Sequence, residues 1–544
     1  MHTYDAIISG YGPTGATLAN LLGTMGLKVA VIEREWAIFD KPRAITADHE
    51  ATRAFQAAGL ADQVTEGTIA HPGTDFVGVQ GQVIKRFYPM PAPGPLGWEP
   101  TYMFHQPTLE ATLRAGVERL PTVNVVLGHS VAGYRQHERH VDVHVEDAQG
   151  AIETLSARYL LACEGARSGV RNQMGVGVHD LDFDEWWVVV DVQLHTDVDL
   201  PERCVQYCRP SRPGTYIVGP DRLRRWEIKV LAGESPTSFN DPKYLDAVLG
   251  TFVDTAGVTV QRVAIYRFHA VVAEQWRDGR VFLLGDAAHQ MPPFMGQGLC
   301  AGVRDAYNLA WKLDAVIRGA ADQSLLDTYT VERRPHVQQV VETAKSFGLI
   351  IGELDEAAAR ARDQRLEAEL HGGVAQTVRQ SFIPGLSAGL LVVDEEGLPG
   401  RGAGQLFPQP WVSSPTLHRI RLDDLTRGQF YLVCGDARRA RLAQALLGDC
   451  TRLLETRVVC LNSGAGSPVE NPIIDCAEEG SFVQRWFEQY GAVAALVRPD
   501  GTAYGTAADD ADLHALIEDA QRKLDHFSEQ LLLESRILTA GSAH

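Results

Sequence analysis

The chain has 544 residues, 45% hydrophobic and 22% charged, enough for two or three domains that each bury a core. A net charge of −19 argues against nucleic acid or an anionic membrane as partner, because phosphate binding needs a basic face. No apolar run reaches the length of a membrane span, and the eight cysteines are scattered with only Cys204 and Cys208 close together. No histidine lies at ligand spacing from that pair, so reduced thiols, no metal centre and a cytoplasmic location are expected.

The opening segment runs straight into a strand pattern at residues 3–9 rather than into a targeting segment. A helix is predicted from Thr14 to Met25, a stop at Gly26 and a second strand over Lys28–Glu33, completing a β-α-β unit. Its turn reads Gly10-Tyr-Gly-Pro-Thr-Gly15. Gly10 permits the tight turn, Gly12 lets a pyrophosphate approach the backbone, and Gly15 lets helix and strand pack closely. The helix start favours phosphate charge and Glu33 can accept ribose hydroxyl protons, so the unit binds a dinucleotide, NAD or FAD.

The Gly/Pro-rich stretch Phe76–Trp98 interrupts a simple doubly wound pattern. Antiparallel strands follow around Val123–Glu146, where His137, His140 and His144 read as a wet hairpin face. Leu160-Leu-Ala-Cys-Glu-Gly-Ala-Arg-Ser-Gly-Val-Arg171 is a second motif. A separate sheet is expected over Trp186–His269, with strands near Val188–Leu194, Tyr216–Gly219 and Trp226–Leu231. A short buried strand, Val281–Leu284, then leads into a third motif, Gly285-Asp-Ala-Ala-His-Gln-Met-Pro-Pro-Phe-Met-Gly-Gln-Gly298. There Gly285 lets a ligand come close, Asp286 can hold a hydroxyl, Pro292-Pro293 makes a rigid turn, and Gly296-Gln-Gly298 opens a helix. A helix start at that place would stabilise the negative charge of a reduced flavin.

That helix is predicted over Leu299–Ile317, with a further helical stretch at Asp355–Leu370 and a linker near Pro384–Pro410. Strands at Gln429–Gly435, Thr456–Asn462 and Ala492–Arg498 and a helix over Ala511–Leu532 suggest a third α/β domain. There are no internal repeats.

Together the three motifs resemble those of the class A aromatic-ring flavoprotein monooxygenases, whose fold is that of p-hydroxybenzoate hydroxylase. Pro42-Arg-Ala-Ile, Asp48-His-Glu, Gln106-Pro, Arg304-Asp-Ala-Tyr-Asn-Leu-Ala-Trp-Lys-Leu, Asp327-Thr-Tyr-Thr-Val-Glu-Arg-Arg334 and Leu496-Val-Arg-Pro-Asp500 are most similar to the 3-(3-hydroxyphenyl)propionate hydroxylases. The resemblance implies an α/β, Rossmann-like FAD domain (1–72, 100–182 and 278–350) with an inserted substrate sheet (73–99 and 183–277). It also implies a helical segment and linker (351–410) and a thioredoxin-like domain (411–544) without redox cysteines.

The implied cofactors are bound FAD and transient NADPH or NADH. The implied reaction is hydroxylation of a phenolic ring by O₂ through a flavin C4a-hydroperoxide, on a 3-(3-hydroxyphenyl)propionate-like substrate. The alternatives are hydroxylation of a larger aromatic polyketide, or a flavin reductase or NADH oxidase without ring hydroxylation. A homodimer through the C-terminal domain is compatible with the sequence.

By this resemblance Arg34, Arg43, Gln106, Glu164, Pro292, Gly296, Gly298 and Leu299 join Gly10, Gly12, Gly15, Glu33, Gly285 and Asp286 at the cofactor. Asp48, or failing it His49, is expected to act as base on the ring hydroxyl, with a helix cap as the alternative role of Asp48, and Pro293 to line the reaction site. Trp187, Tyr207, Tyr216, Arg209 and Arg225 are candidates for the substrate wall. His289 is expected to pack near the flavin without moving protons. Two departures stand out: Glu164-Gly165 where the family has Asp-Gly, and Leu299-Cys300 where it usually has Asn.

Overall fold

The structure, a computed structural model, describes residues 4–39, 43–92, 94–373, 376–414, 417–426, 428–448, 450, 453, 455–461 and 472–525. Asn462 and Leu532, the expected ends of one strand and one helix, lie outside the described residues.

Tyr4–Ser9 is the centre of the first sheet because it is apolar on both faces, which suits a parallel strand covered by helices. It pairs in parallel with Val29–Glu33 on one side and Ile152–Ala162 on the other, and Val123–Leu127 and Val281–Leu283 extend the row. The helices Pro13–Thr24, Gln106–Glu118 and Gly298–Ile317 pack together beside this sheet. All three sequence motifs therefore end at the carboxyl edge of neighbouring parallel strands. That edge is where open α/β sheets place their ligands.

Two long antiparallel strands, Val178–Leu194 and Val258–Ala273, carry the chain from the first sheet into a nine-stranded second one. Next in order come Leu223–Lys229, Gly214–Val218, Cys204–Tyr207, Thr74–Val77 and Val83–Tyr88. The outer face of this sheet buries Val188, Val190, Val192, Tyr216, Trp226 and Ile228 against Phe239, Leu245 and Leu249. Alternation with period two then turns Val189, Asp191, Gln206, Thr215, Arg225 and Glu227 toward the first domain.

Two of the elements not expected from the sequence bear on the site. Thr328–Gly352 forms a 25-residue helix, and Gln376–Val378, inside the stretch 351–410 expected as helical segment and linker, adds a strand beside Val83–Tyr88. The helix buries Glu332, Arg333 and His336 among its apolar residues, which blurs the helical period. The C-terminal sheet is built on parallel Tyr431–Cys434, Arg457–Leu461 and Ile474–Glu478, with Ala494–Val497 and Ala503–Ala507 antiparallel at one side. That arrangement is thioredoxin-like, and its Cys434, Cys460 and Cys476 are buried and unpaired.

The C-terminal domain is joined to the first by a sealed charge cluster. Arg498 donates to both oxygens of Glu332 (3.0 and 2.8 Å) and to Asp500 (2.5 Å), and Lys312 donates to Glu332 at 2.6 Å. Asn308 Nδ2 and Trp311 Nε1 donate further bonds to Glu332 and Asp500. Burial would raise the Glu332 carboxyl, but Arg498 and Lys312 outweigh it and hold the group at about 2. Because this is below its ordinary value of 4.5, the pairing stabilises the fold above pH 4.5 and loses that contribution as pH falls toward 2. Removing one partner of a buried pair strands the other charge. Arg498→Met is thus expected to cost about 3–5 kcal/mol, read as a lower melting temperature at neutral pH. An unchanged melt would show that the cluster does not hold the two domains together.

Candidate active site

Two cavities meet where the two sheets face one another. The first is a channel of about 1080 Å³ at the carboxyl edge of the parallel sheet. Gly10, Gly12, Glu33, Arg34, Arg43, Gln106, Glu164, Asp286, Gly298 and Leu299, all expected cofactor residues, lie on its wall. Gly10 has φ +99°, and a side chain there would strike the Cys163 carbonyl. Gly15 and Gly285 act from behind: a Cβ on either would meet Gly10 or Thr14 and push apart the strand ends that form the channel. Gly12 has nothing within 4 Å, so its backbone is open to a phosphate.

The helices Pro13–Thr24 and Gly298–Ile317 both begin at this wall without a side-chain cap. Their first N–H groups and positive dipole ends are thus free for an anionic ligand. The Asp286 side chain is exposed to the channel, although the protein around it raises its carboxyl above the ordinary range, with His289 and Arg43 acting the other way. Glu33 accepts from the Tyr11 and Glu35 backbones (2.7 and 2.9 Å), which fixes its carboxylate at the channel edge. Gln106 acts through the chain: its Oε1 accepts from the N–H groups of Arg43 and Ala44 (2.8 and 2.5 Å) and pins that loop against the channel. Arg34 is exposed and paired with Glu35. An elongated phosphate-bearing dinucleotide such as FAD fits this donor set.

The departures have local explanations. The longer Glu164 reaches Ser9 Oγ at 2.8 Å with one oxygen, and Ser168 Oγ (2.5 Å) and Val170 N (3.1 Å) with the other. It ties a strand of the first motif to the start of the Gly169–Met174 helix. Cys300 is fully buried, and its Sγ accepts from Asp48 N at 3.4 Å. Asp305 is the anchor of the third motif: it accepts from Gly285 N (3.0 Å) and Arg333 Nε (2.9 Å) and bonds His289 Nε2 at 2.8 Å. His289 is therefore committed to structure.

The second cavity, about 290 Å³, shares Arg43, Ala44, Tyr266, Asp286, Gly298 and Leu299 with the channel. Pro293, Phe294 and Gly296 line it on the flavin-domain side, and Pro292 opens their turn. A side chain at Gly296 (φ +60°) would collide with Thr46 and Arg379. The opposite wall is the inner face of the second sheet. Gln206, Thr215, Glu227 and Val189 stand opposite one another on four adjacent strands, with Arg225 two residues before Glu227.

Arg225 is fully buried and bonds Asp191 (Nε to Oδ1, 2.6 Å) and the Arg43 carbonyl (Nη1, 2.7 Å). Arg262 shares Asp191 at 3.0 Å. Glu227, 4% exposed, has its side chain on the cavity wall, and burial raises its carboxyl to about 7, with Arg225 and Arg262 opposing and Asp191 adding to the rise. Arg379 enters from the end of the Gln376–Val378 strand and donates to Met295 O. His71 also lines the cavity; burial, then Arg379 and Arg203, push it well below the ordinary histidine range and keep it neutral.

Several expected site residues are elsewhere. Tyr207 and Tyr216 belong to the outer face of the sheet, where Tyr207 meets Phe252 and Tyr216 meets Trp226. Odd and even positions of one strand cannot share a face, so Gln206 and Thr215 take the wall instead. Arg209 lies over the Tyr207 and Phe252 rings. Trp187 is fully buried behind Phe268 and Phe294 and donates to Glu185. Arg225 alone of that set reaches the cavity.

Asp48 takes the helix-cap role that was the alternative to a base. Its Oδ1 caps the His49–Ala57 helix through Ala51 N (3.0 Å), its Oδ2 accepts from Arg304 at 2.5 Å, and it is absent from both cavity walls. Burial opposes its ionisation, but Arg304 and the cap keep the carboxyl below the ordinary range. His49 faces a different cavity, between the first and third domains, beside Arg304 and His336. Sequence reasoning missed Glu227, Thr215, Gln206 and Arg379. Only the Arg225–Glu227–Lys229 alternation with Trp226 and Ile228 carried a signal for any of them.

Two substitutions separate these roles. Asp286→Ala is expected to lower FAD retention by at least tenfold with little change in melting of the apoprotein. Asp48→Ala strands Arg304 and is expected to lower the melting temperature, while the pH dependence of turnover keeps its shape. Loss of a titration step in Asp48→Ala would return the base role to that residue.

The model of an FAD binding domain matches residues 3–344, and that of an HcaD C-terminal domain matches residues 404–523. A probable NADH-specific resorcinol 4-hydroxylase of Rhodococcus jostii is 36% identical over 519 residues, covering 95% of this chain and 94% of that protein. A 3-(3-hydroxy-phenyl)propionate/3-hydroxycinnamic acid hydroxylase of Burkholderia vietnamiensis is 33% identical, covering 91% and 92%. The flavin-dependent monooxygenase PieE, solved with FAD and substrate, superposes with a TM-score of 0.78 at 23% identity, covering 96% and 99%. Aklavinone-11 hydroxylase, solved with FAD and aklavinone, gives 0.73 at 25%, covering 96% and 99%. With the motif-lined channel and the adjoining ring-sized cavity, these similarities show that the chain belongs to the FAD-dependent, NAD(P)H-consuming aromatic-ring hydroxylases of the FAD-binding-domain family.

Proposed function

We propose that this hydroxylase acts on a single-ring phenol carrying a second polar group meta to its hydroxyl, with NADH as reductant. The observation that carries the reading is the cavity of about 290 Å³ opening directly onto the flavin channel. It lies at the lower end of ligand-pocket volumes and suits one ring better than a fused polyketide. The relatives that cover nearly the whole chain are named for resorcinol and for 3-(3-hydroxy-phenyl)propionate, both 1,3-substituted rings, and the resorcinol enzyme is named NADH-specific.

FAD, when bound, supplies the redox and oxygen-activating chemistry. The chain's own residues hold and enclose the ring. Phe268, Phe294 and Met291 give it an apolar bed, and Gln206 and Thr215 offer polar atoms at the sheet wall. Arg379 forms no ion pair with any described residue and faces the cavity, which suits it to a substituent that is a carboxylate or a hydroxyl. Pro293 and the Gly296 turn close the cavity on the flavin-domain side and limit water. Eight buried cysteines held as thiols rather than disulfides support a reducing, cytoplasmic setting.

The test is NADH consumption by the purified holoenzyme with resorcinol, 3-(3-hydroxyphenyl)propionate, unsubstituted phenol and a tetracyclic phenol under labelled O₂. Ring-incorporated label and the fastest turnover are expected with a meta-substituted single ring. Hydrogen peroxide as the sole product with every phenol would overturn the reading, and preference for the tetracycle would replace its substrate class. Arg379→Met is expected to raise KM for the propionate at least tenfold more than for unsubstituted phenol.

A further inference from the structure

We propose that Glu227 is the base that takes the proton of the substrate's ring hydroxyl; this rests on the phenol reading above. The argument is geometric first. Glu227 is buried in the middle of the inner sheet face, on the wall of the ring-sized cavity, between Thr215 on one neighbouring strand and Val189 on the other. No described side chain donates to its carboxylate, and its oxygens are not among the sealed polar atoms that lack partners. A carboxylate in that position faces the cavity and lacks only a donor, which a phenolic O–H supplies.

The other groups around the cavity do not fit the task. Asp191 is held by Arg225 and Arg262. Asp286 belongs to the mouth shared with the flavin channel. His71 already accepts from Gly73 N through Nδ1 at 2.9 Å. Arg43, Arg225 and Arg379 are cations and cannot accept a proton, and Tyr266 pairs with Arg262. Cys204 also lines the cavity, but burial raises its thiol to about 11 and keeps it protonated; with it, these are the charged and titratable groups that face Glu227 from the sheet and from the flavin domain.

In the step, the O–H bond breaks, the proton goes to a Glu227 oxygen, and the electron pair stays on the phenolate oxygen. The phenolate is a far better nucleophile toward an electrophilic oxygen than the phenol, whose reference pKa is about 10. Arg225 and Arg379 stabilise the new negative charge. Glu227 returns the same proton when the product oxygen is reprotonated, so the residue ends as it began. With its carboxyl at about 7, Glu227 is ionised in a growing fraction of molecules as pH rises through neutrality.

The experiment measures product formation in single turnovers against pH for wild type, Glu227→Gln and Glu227→Asp holoenzyme. The substrates are 3-(3-hydroxyphenyl)propionate, resorcinol and ring-fluorinated forms of each, which ionise more readily. The wild-type rate is expected to rise through a step near pH 7. Glu227→Gln is expected to keep its FAD, to lose roughly 10²-fold or more in ring oxygenation, and to lose that step. Fluorinated substrates should recover much of the loss in Glu227→Gln but change the wild type little, and Glu227→Asp should restore part of the rate and the step. A purely structural role would not respond to substrate acidity. Equal rates and pH profiles in wild type and Glu227→Gln would overturn the proposal, as would a loss that acidic phenols do not repair. Absence of ring hydroxylation by the wild type on every phenol would instead remove the phenol reading, and this assignment with it.

Discussion

One guanidinium, that of Arg225, joins the ring-facing sheet to the loop that faces the flavin channel. Its Nε is held by Asp191 while Nη1 donates to the carbonyl of Arg43, whose own N–H is pinned by Gln106. The distance between the two cavities is therefore set by hydrogen bonds rather than by loosely packed apolar contact. Asp191 carries two arginines, so the buried triad has one positive charge in excess. A buried ion cluster is seldom a net source of stability, because desolvation offsets the Coulomb gain. Its value here is geometric and electrostatic. It fixes the register of two domains and leaves a positive field beside a carboxyl that burial would otherwise keep fully protonated.

The same economy runs through the other junctions. Asp305 holds the Gly285 turn, His289 and Arg333 at once, and Asp48 holds a helix start and Arg304. In each case an acid that could look catalytic in isolation is saturated by donors. Saturation lowers a carboxyl and removes it from proton transfer at neutral pH. Glu227 differs because it is buried beside cations yet bonded to none of them, and the result is a group poised near 7. The distinction between structural and chemical acids in this molecule is thus one of donor count.

That distinction explains what the sequence could and could not reveal. The glycine motifs were legible because backbone approach and tight turns are local demands, and Gly10, Gly12 and Gly298 lie where those demands place them. Asp48 was ambiguous because a base before a helix and a helix cap have the same signature, and only the position of Arg304, 256 residues away, separates them. Tyr207 and Tyr216 were attractive as aromatics, but register decides which face a strand residue occupies. Glu227 was hidden for a subtler reason. In Arg225-Trp-Glu-Ile-Lys229 the charged positions alternate with apolar ones, which ordinarily marks a solvated face. Here the apolar side faces its own helices and the charged side is roofed by the flavin domain, a tertiary fact with no local trace. Arg379 was hidden likewise, since a three-residue strand inside a linker draws its pairing from Val83–Tyr88 far away in the chain.

The position of Glu227 also answers an electrostatic difficulty of the reaction class. A reduced flavin carries negative charge, and two helix starts and Arg43 favour that charge at the channel. A base placed in the same loop would oppose it: two like charges 4 Å apart repel by about 4 kcal/mol at an effective dielectric constant of 20, and by about 2 kcal/mol at 10 Å. Placing the acid on the sheet, one strand repeat of roughly 7 Å beyond the arginine that touches the flavin-side loop, weakens that repulsion. Arg225, bonded to the Arg43 carbonyl at the channel edge, adds positive charge on the flavin side of that wall. The inserted sheet domain thus carries more than the shape of the substrate. It holds the proton-accepting chemistry at a distance from the redox chemistry, within a cavity small enough that a single ring touches both.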